Sequence, residues 1–359
     1  MKKIVTTLLI CLVTSLSFAQ NIKAFEDKNT GFIGFKNAKG EIIIEPTKYE
    51  EWDGASEGLI LVGKKDKWGF IDLQGNEVIE LKYKYASKFS DGLACVSVKK
   101  DKYGFIDKTG ATIIDFKFED THPFNENTAG VSKNNKWGFI DKSGQIIIDY
   151  KYQSVYPFNE GFAAVRLNDK WGFIDKTGGI IGNIKYGGAM KFSDGFGIVA
   201  LNDKQWTFID KTGKEIIEPI YESISPFKEG FAAVQLKSRY GYIDNTGKLI
   251  TEIKYAAAED FKDGFAIVKY SGYSFDNNYS FIDTTGKEVP LERYNSIKRV
   301  SPNYFLINDM VGKKGIVTIA GKKIIEMKYD KISMAAGVIT AVDAKGIIFK
   351  FDKEGKLIN

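Results

Sequence analysis

The sequence predicts an all-β protein, built as a tandem array of ten three-stranded antiparallel β-meander units. The main observation is the segment KWGFIDKTG at Lys170–Gly178, because near-copies of it return about every 35 residues along the chain. Its glycine recurs at Gly34, Gly69, Gly104, Gly138, Gly172, Gly241 and Gly315, and the weaker copies place Thr207, Ser280 and Phe349 there. A fixed period of this size is typical of repeat architectures.

Each unit contains a strand, a tight turn and a second strand. Residues Trp171–Asp175 alternate in the two-residue period of a strand, which we call strand A. Residues Asp175–Gly178 then form a turn, since Asp accepts hydrogen bonds from backbone amides and Gly adopts positive φ easily. Strand B follows, as at Ile146–Asp149 and Ile216–Glu218, and its consecutive β-branched residues predict burial on both faces.

A second motif introduces the third strand. An aromatic residue recurs eight residues after each turn glycine, as at Tyr152, and we expect it to plug a compact loop. The motif FNEG at Phe158–Gly161 then precedes strand C, at Phe162–Leu167, so the order within a unit is C, A, B. A single unit is too small to bury its own core, so neighbouring units must stack. We expect an open superhelical array, with a closed propeller-like ring as the alternative.

The beginning of the chain has the pattern of a secretory signal peptide. Lys2 and Lys3 precede the apolar run Ile4–Val13, and Ser17, Phe18 and Ala19 follow, with small residues at the two positions that a signal peptidase reads. Residues 1–19 are therefore assigned to the signal peptide and residues 20–359 to the repeat array. The apolar run is too short to span a bilayer, and no later run is long enough. We expect an exported protein without a transmembrane segment, located in the periplasm, on the cell surface or outside the cell.

The composition excludes several classes of function. Lys2 and Lys3 account for two of the 51 basic residues, so the mature chain carries 49 basic against 46 acidic residues. That balance argues against a nucleic-acid or anionic-membrane binder. The mature chain keeps one cysteine, Cys95, which cannot form an internal disulfide or a thiolate metal cluster, and we expect a buried, slow thiol. No cofactor and no metal site are predicted.

The repeated segment resembles the WG-repeat, or KWG-repeat, family of bacterial proteins. The clearest matches are WGFIDKSG at Trp137–Gly144 and WGFIDKTG at Trp171–Gly178, whereas Trp206–Gly213 replaces the glycine by Thr207. The resemblance covers essentially all of the mature chain. It implies an all-β interaction module of exported or surface-associated proteins, and it supplies no catalytic residue.

The repeated positions are interpreted as structural. A row of turn aspartates could suggest calcium, but each turn offers one carboxylate, whereas calcium takes about six to eight oxygen ligands. The tryptophans could form a sugar-stacking platform, but a position repeated in every unit fits a core between units better. A glycine inside strand A predicts close approach by a neighbouring backbone. The residues assigned to this repeat core are Trp68, Trp137, Trp171, Trp206, Gly69, Gly138, Gly172, Asp72, Asp141 and Asp175.

No catalytic constellation is evident. The sole histidine, His122, precedes Pro123 and has no serine, zinc-site or phosphate-binding pattern around it, so we expect a solvated loop residue. The favoured function is a non-enzymatic secreted or cell-envelope scaffold that binds a protein or glycan partner. The alternative is a carbohydrate-active enzyme on a propeller-like frame, whose paired carboxylates would gather in one pocket.

The one insertion in the repeat is a candidate binding loop. The segment Lys269–Tyr279 lengthens one spacing to 39 residues and adds Tyr270, Tyr273 and Phe275. Exposed tyrosine provides a large contact area with few rotatable bonds, so these three residues are the predicted binding residues. The competing interpretation is a tolerated surface insertion.

Overall fold

The protein is described by a computed structural model that covers residues 22–270 and 278–358, and the predicted signal peptide lies outside these residues. Within them the chain forms strands, turns and bends, and no helix. The described residues divide into two compact units, with the boundary between residues 184 and 185. The strands form ten small antiparallel sheets of three or four strands. The predicted all-β tandem architecture is confirmed, and the open arrangement of the repeats stays a prediction.

The three predicted strands recur through both units. Strand C occupies Lys23–Glu26, Leu59–Lys64, Ala94–Lys99, Thr128–Lys133, Phe162–Leu167, Gly197–Ala200, Phe231–Leu236, Phe265–Lys269, Tyr304–Asn308 and Val338–Val342. Strand A occupies Ile33–Lys36, Lys67–Asp72, Lys102–Ile106, Lys136–Asp141, Lys170–Asp175, Trp206–Ile209, Arg239–Asp244, Asn278–Asp283, Lys314–Thr318 and Ile348–Phe351. Strand B occupies Ile42–Tyr49, Glu77–Tyr83, Thr112–Phe118, Ile146–Tyr152, Ile180–Tyr186, Glu288–Arg293 and Lys323–Tyr329.

A fourth strand, not predicted, precedes strand C and gives the spatial order D, C, A, B. Strand D occupies Glu51–Ser56, Tyr85–Ala86, Asp120–Thr121, Ser154–Val155, Gly188–Ala189, Ser223–Ile224, Ala257–Ala258, Ser296–Ser301 and Lys331–Ala335. Many of these strands have only two residues, too short to show the alternating pattern that identifies a strand. Six of the ten sheets have four strands, so the predicted three-stranded meander omitted the edge strand D of these sheets.

The core is built on a phenylalanine pair rather than on one repeated residue. Phe139 of strand A and Phe158 of the following FNEG turn are both fully buried, with ring centroids 4.8 Å apart. Equivalent pairs are Phe70 with Phe89 at 4.8 Å and Phe105 with Phe124 at 4.8 Å. Each pair joins one repeat to the next, which is the burial that a single repeat cannot provide.

Strand B is missing at Ile216–Glu218, where it was predicted. In strand A of this repeat, Thr207 replaces the usual glycine. In the regular repeat, a Cβ added at Gly138 would lie 2.5 Å from the backbone oxygen of Ile148 in strand B. Thr207 carries that Cβ, and its hydroxyl donates a hydrogen bond to the carbonyl of Ile217 at 2.6 Å. Strand B is also missing after Gly241 and is present after Ser280, so Thr207 alone does not account for its loss.

Candidate functional site

The predicted turn aspartates close the turn between strands A and B. The carboxylate of Asp141 accepts hydrogen bonds from the backbone N–H groups of Ser143 at 2.9 Å and Gln145 at 3.0 Å, and from the Ser143 hydroxyl at 2.6 Å. The carboxylates of Asp72 and Asp175 likewise accept backbone hydrogen bonds within their turns. No group of three or more acidic, His or Cys side chains in the described residues could hold a metal ion.

These turns should make the fold sensitive to acid. The Ser143 hydroxyl and the turn amides lower the pKa of Asp141 below its ordinary value of 3.8, although slight burial opposes them. A lowered pKa in the folded state stabilises the fold above the ordinary pKa, and that contribution is lost as pH falls through the folded-state value. We expect the urea midpoint to fall as the pH drops below about 5. Asp141→Asn, which keeps an acceptor oxygen, should flatten this fall, and an unchanged slope would contradict the assignment.

The predicted glycines lie against strand B. A Cβ atom added at Gly69 or at Gly138 would lie 2.5 Å from a strand B carbonyl oxygen, and one added at Gly172 would lie 2.8 Å from the Asn183 carbonyl. Real Cβ atoms do not approach carbonyl oxygens this closely. In these three repeats, glycine therefore lets the backbone of strand B approach strand A this closely.

The four predicted tryptophans lie at the edge of the core. Trp68, Trp137, Trp171 and Trp206 are partly buried, whereas the adjacent phenylalanines are fully buried. Trp137 packs against the buried cluster that contains Phe139 and Phe158. The sequence pattern could not separate these two aromatic positions, because both recur once in each repeat.

The prediction of a solvated His122 is wrong. Its ring stacks on Trp137, with centroids 4.7 Å apart and an interplanar angle of 20°, and its Nε2 lies 3.1 Å from the carbonyl oxygen of Val155. Burial lowers the pKa of His122, although the contact with Val155 opposes this. Its role is packing, since a flat ring fills the space beside the indole.

The binding residues predicted in the insertion are only partly placed. Tyr273 and Phe275 lie outside the described residues. The ring of Tyr270 packs against Tyr255 at 5.3 Å between centroids, and its hydroxyl donates a hydrogen bond to Glu288. Tyr270 therefore contributes to packing between neighbouring repeats, which the hypothesis of a purely added loop did not include.

An open hollow of about 430 Å³ lies beside Trp137. Its lining residues are Asp101, Glu119, Asp120, Ser132, Asn135, Trp137 and Gln153. Two of the polar groups hold turns: Glu119 accepts the N–H groups of Asn134 and Asn135 at 2.9 Å each, and Gln153 accepts that of Asp169 at 2.8 Å. The turn amides lower the pKa of Glu119, which is opposite to the change that a general acid requires.

Cys95 lies in strand C and is buried against Thr121 of the following strand D, in agreement with the sequence-based expectation. Burial raises the pKa of its thiol to about 12, although the Thr121 contact opposes this. Because the thiolate is the reactive form, we expect a thiol reagent to label native Cys95 slowly and the urea-unfolded chain rapidly. A Thr177→Cys variant, with its thiol on an exposed turn, is the positive control. Equal labelling rates at the two positions would contradict the burial of Cys95.

The prediction that strand B is buried on both faces is also wrong. In the repeat of Ile146–Tyr152, Phe139 pairs with Ile148 and Ile140 pairs with Ile146, so Ile147 forms a β-bulge. Only Ile148 of the three isoleucines is buried. Strand B is the edge of its sheet, so nothing in the sheet covers its outer side. The same bulge places Ile113 on the surface of the preceding repeat.

These edges create an apolar surface with regularly placed lysines, which we call the strand B patch. Its exposed aliphatic side chains have between 37% and 56% of their area accessible. The patch consists of Lys82, Ile113, Lys117, Ile146, Ile147, Lys151 and Ile180. Because the core does not need these aliphatic side chains at the surface, the strand B patch is the candidate functional site.

Acidic residues of the FNEG-type turns join successive repeats. Glu126 has a φ of 52°, a conformation that is unusual for glutamate, and its carboxylate accepts the N–H of Gly161 in the next repeat at 2.9 Å. Glu57 accepts the N–H of Gly92 at 3.1 Å in the same way. The sequence signal is the acidic residue at the third position of this motif, which precedes a glycine in most repeats and Asn127 at Glu126.

Comparison with solved structures finds distant likenesses. The BamB protein from Moraxella catarrhalis is 10% identical, with a TM-score of 0.32, 92% of this chain covered and 97% of that chain. AztD from Citrobacter koseri is 12% identical, with a TM-score of 0.29, 94% of this chain covered and 93% of that chain. The computationally designed Ika8 protein is 13% identical, with a TM-score of 0.35, 74% of this chain covered and 95% of that chain. Likenesses at this level are too distant to bear on function.

Comparison of sequences identifies the repeat. No curated protein sequence matches the chain. A family model described as a WG containing repeat matches residues 33–68, 68–103, 103–137, 137–171, 171–204, 206–239 and 240–273. These seven consecutive matches cover more than half of the chain, and they begin or end at strand A, which carries the WGFID pattern. The chain therefore belongs to the WG-repeat family.

Proposed function

We propose that the chain is an exported, non-enzymatic scaffold that binds a protein partner through the strand B patch. The observation that carries this proposal is the exposure of Ile113, Ile146, Ile147 and Ile180 on consecutive repeats. The core does not require these side chains, since Ile114 and Ile148 already provide the buried positions of strands B. Exposed apolar patches with polar residues at their rim are typical of protein interaction sites.

Between the two partner classes expected from the sequence, this surface favours a protein over a glycan. Sugars stack on flat aromatic faces, whereas the patch presents branched aliphatic side chains and lysine ammonium groups. The export of the scaffold is supported by the Lys2–Ala19 segment, with its basic start and short apolar run. No helix in residues 22–270 or 278–358 is long and apolar enough to cross a bilayer.

Site-directed photocrosslinking tests this proposal. A photoreactive amino acid at position 147 of the full chain, in the intact cell, should give a discrete protein adduct. The same group at the exposed turn residue Thr177 should not give that adduct. Combined Ile113→Ser and Ile180→Ser substitutions should remove it, whereas Leu249→Ser, at an exposed position of a later repeat outside the patch, should leave it intact. An adduct that forms equally at both positions, or that survives the patch substitutions, would overturn the proposal.

A carbohydrate-active enzyme remains the second candidate, because Asp101, Glu119 and Asp120 meet in the hollow beside Trp137. Glu119 and one oxygen of Asp120 already accept backbone hydrogen bonds. Asp101 is therefore the carboxylate in the hollow with the fewest such bonds among the described residues. The distinguishing measurement is glycan hydrolysis by the parent and by Asp101→Asn. Activity that Asp101→Asn removes, with an unchanged melting curve, would favour the enzyme over the scaffold.

A further inference from the structure

Lysines at the end of strand B form a series of ion pairs with the next repeat. Lys48 pairs with Glu77 at 2.7 Å, and Lys185 pairs with Glu215 at 2.9 Å. Each glutamate stands two residues after the turn glycine of the following repeat. The distance in a third pair, Lys254 with Glu288, is 3.4 Å. These pairs show that a carboxylate fits beside the lysine at the end of strand B.

The series is interrupted at three consecutive junctions of the first unit. The positions of the glutamates are held there by Thr112, Ile146 and Ile180. The facing lysines are Lys82, Lys117 and Lys151, and none of them has an ion pair within the described residues. Their ammonium groups lie 5.5, 5.4 and 5.2 Å from the ring centroids of the adjacent plug residues Tyr83, Phe118 and Tyr152.

These contacts hold the lysines in place. A cation over an aromatic face is attracted to the ring, so each ammonium group has a defined position even without a carboxylate. Asp115 and Asp149 stand two residues before Lys117 and Lys151 on the same exposed strands, but neither lies within ion-pairing distance of a described lysine. The three junctions therefore present a positioned cation beside an exposed aliphatic or hydroxyl side chain.

We propose that the partner at the strand B patch is an acidic polypeptide segment that crosses successive strands B. Its carboxylates form ion pairs with Lys82, Lys117 and Lys151, as Glu77, Glu215 and Glu288 do with their lysines at the paired junctions. Its apolar side chains cover Ile146 and Ile180 between the charges. A polypeptide is favoured over an acidic polysaccharide because a polysaccharide offers no aliphatic side chains for these isoleucines. This inference rests on the proposed binding function of the patch and specifies the chemistry of the partner.

Defined peptides test the inference. The first probe is a peptide of about twenty residues in which pairs of Glu alternate with pairs of Val. The second is the same peptide with Gln in place of every Glu, and the third is a polyuronate. Binding to the full mature chain is measured by fluorescence anisotropy at two salt concentrations. We expect the Glu peptide to bind at least about tenfold more tightly than the Gln peptide, with a difference that shrinks as salt rises.

Two sets of variants locate the contact. Thr112→Glu, Ile146→Glu and Ile180→Glu together complete the intramolecular series, and their control carries Gln at the same three positions. Both variants remove apolar surface. We therefore expect the Glu variant to bind the Glu peptide about tenfold more weakly than the Gln variant does, because its new glutamates already pair with the lysines. In the complementary set, Lys82→Gln, Lys117→Gln and Lys151→Gln should weaken binding of the Glu peptide. Lys48→Gln, which alters a lysine that is already paired, should change it less than about twofold.

The outcomes separate this inference from the proposed function. Equal binding of the Glu and Gln peptides, tighter binding of the polyuronate, or no binding of either peptide would overturn the acidic-polypeptide assignment. The adduct formed at position 147 in cells does not depend on these probes. An adduct that persists while the peptides fail would retain the scaffold and reject the acidic partner.

Discussion

Replacing Gly138 by Val is expected to lower the free energy of unfolding by about 3 kcal/mol or more, because the new side chain would meet the backbone of strand B. A Cβ at this position would lie 2.5 Å from the Ile148 carbonyl oxygen and about 3 Å from the backbone atoms that follow it. A main-chain group of a paired strand cannot move aside as a flexible side chain can. Strand B of this repeat must therefore detach or shift. Urea denaturation measures the loss.

The matched control is Lys136→Ala, at the exposed start of the same strand. It should change the midpoint little, since it removes no buried contact. Gly172→Val should follow Gly138→Val in direction, and Lys170→Ala should follow the control. A Gly138→Val midpoint equal to that of Lys136→Ala would show that strand B does not pack against this glycine.

Replacing Phe139 by Ala is expected to cost about 3–5 kcal/mol, the range for removing a fully buried aromatic ring. Phe139 has no accessible area, and its partner Phe158 comes from the next repeat. The substitution therefore weakens the junction between two repeats as well as the repeat that carries it. We expect a lower urea midpoint and, because stability in an array depends on coupling between neighbours, a broader transition.

Trp137→Ala provides the comparison, because it removes a larger ring at the edge of the same cluster. Its loss should be clearly smaller than that of Phe139→Ala, since the indole is only partly buried. A larger loss of unfolding free energy for Trp137→Ala would show instead that the tryptophans form the centre of the core. The two variants thus test whether the residue that defines the repeat in sequence also stabilises it most.

The repeat itself could be read from the sequence because its signals are local. The turn of Asp175–Gly178 and strand C at Phe162–Leu167 depend on neighbouring residues, and the structure places both within the expected bounds. Strand D was missed because two residues, such as those of Ser154–Val155, are too few for a periodic pattern. Their position is fixed by hydrogen bonds to strand C.

The candidate surface could not be predicted, because it depends on the order of strands. The run of isoleucines at Ile146–Ile148 suggested burial on both faces, as in the interior of a parallel sheet. In the structure the same residues lie at a sheet edge, and the β-bulge turns Ile147 outward. The series of lysine ion pairs was also hidden, since Lys48 and Glu77 are 29 residues apart and meet only when the repeats stack.

The bonds between turns of successive repeats have a consequence for the evolution of the chain. Glu57 with Gly92 and Glu126 with Gly161 are the same joint in two places, made by the same kind of turn at both junctions. A gene segment that encodes one repeat encodes both a glutamate that contacts the next repeat and a backbone N–H that donates the same hydrogen bond to the previous repeat. Duplication of that segment would therefore reproduce this contact on both sides of the new repeat. New copies can therefore be added or lost without requiring a new kind of contact between repeats.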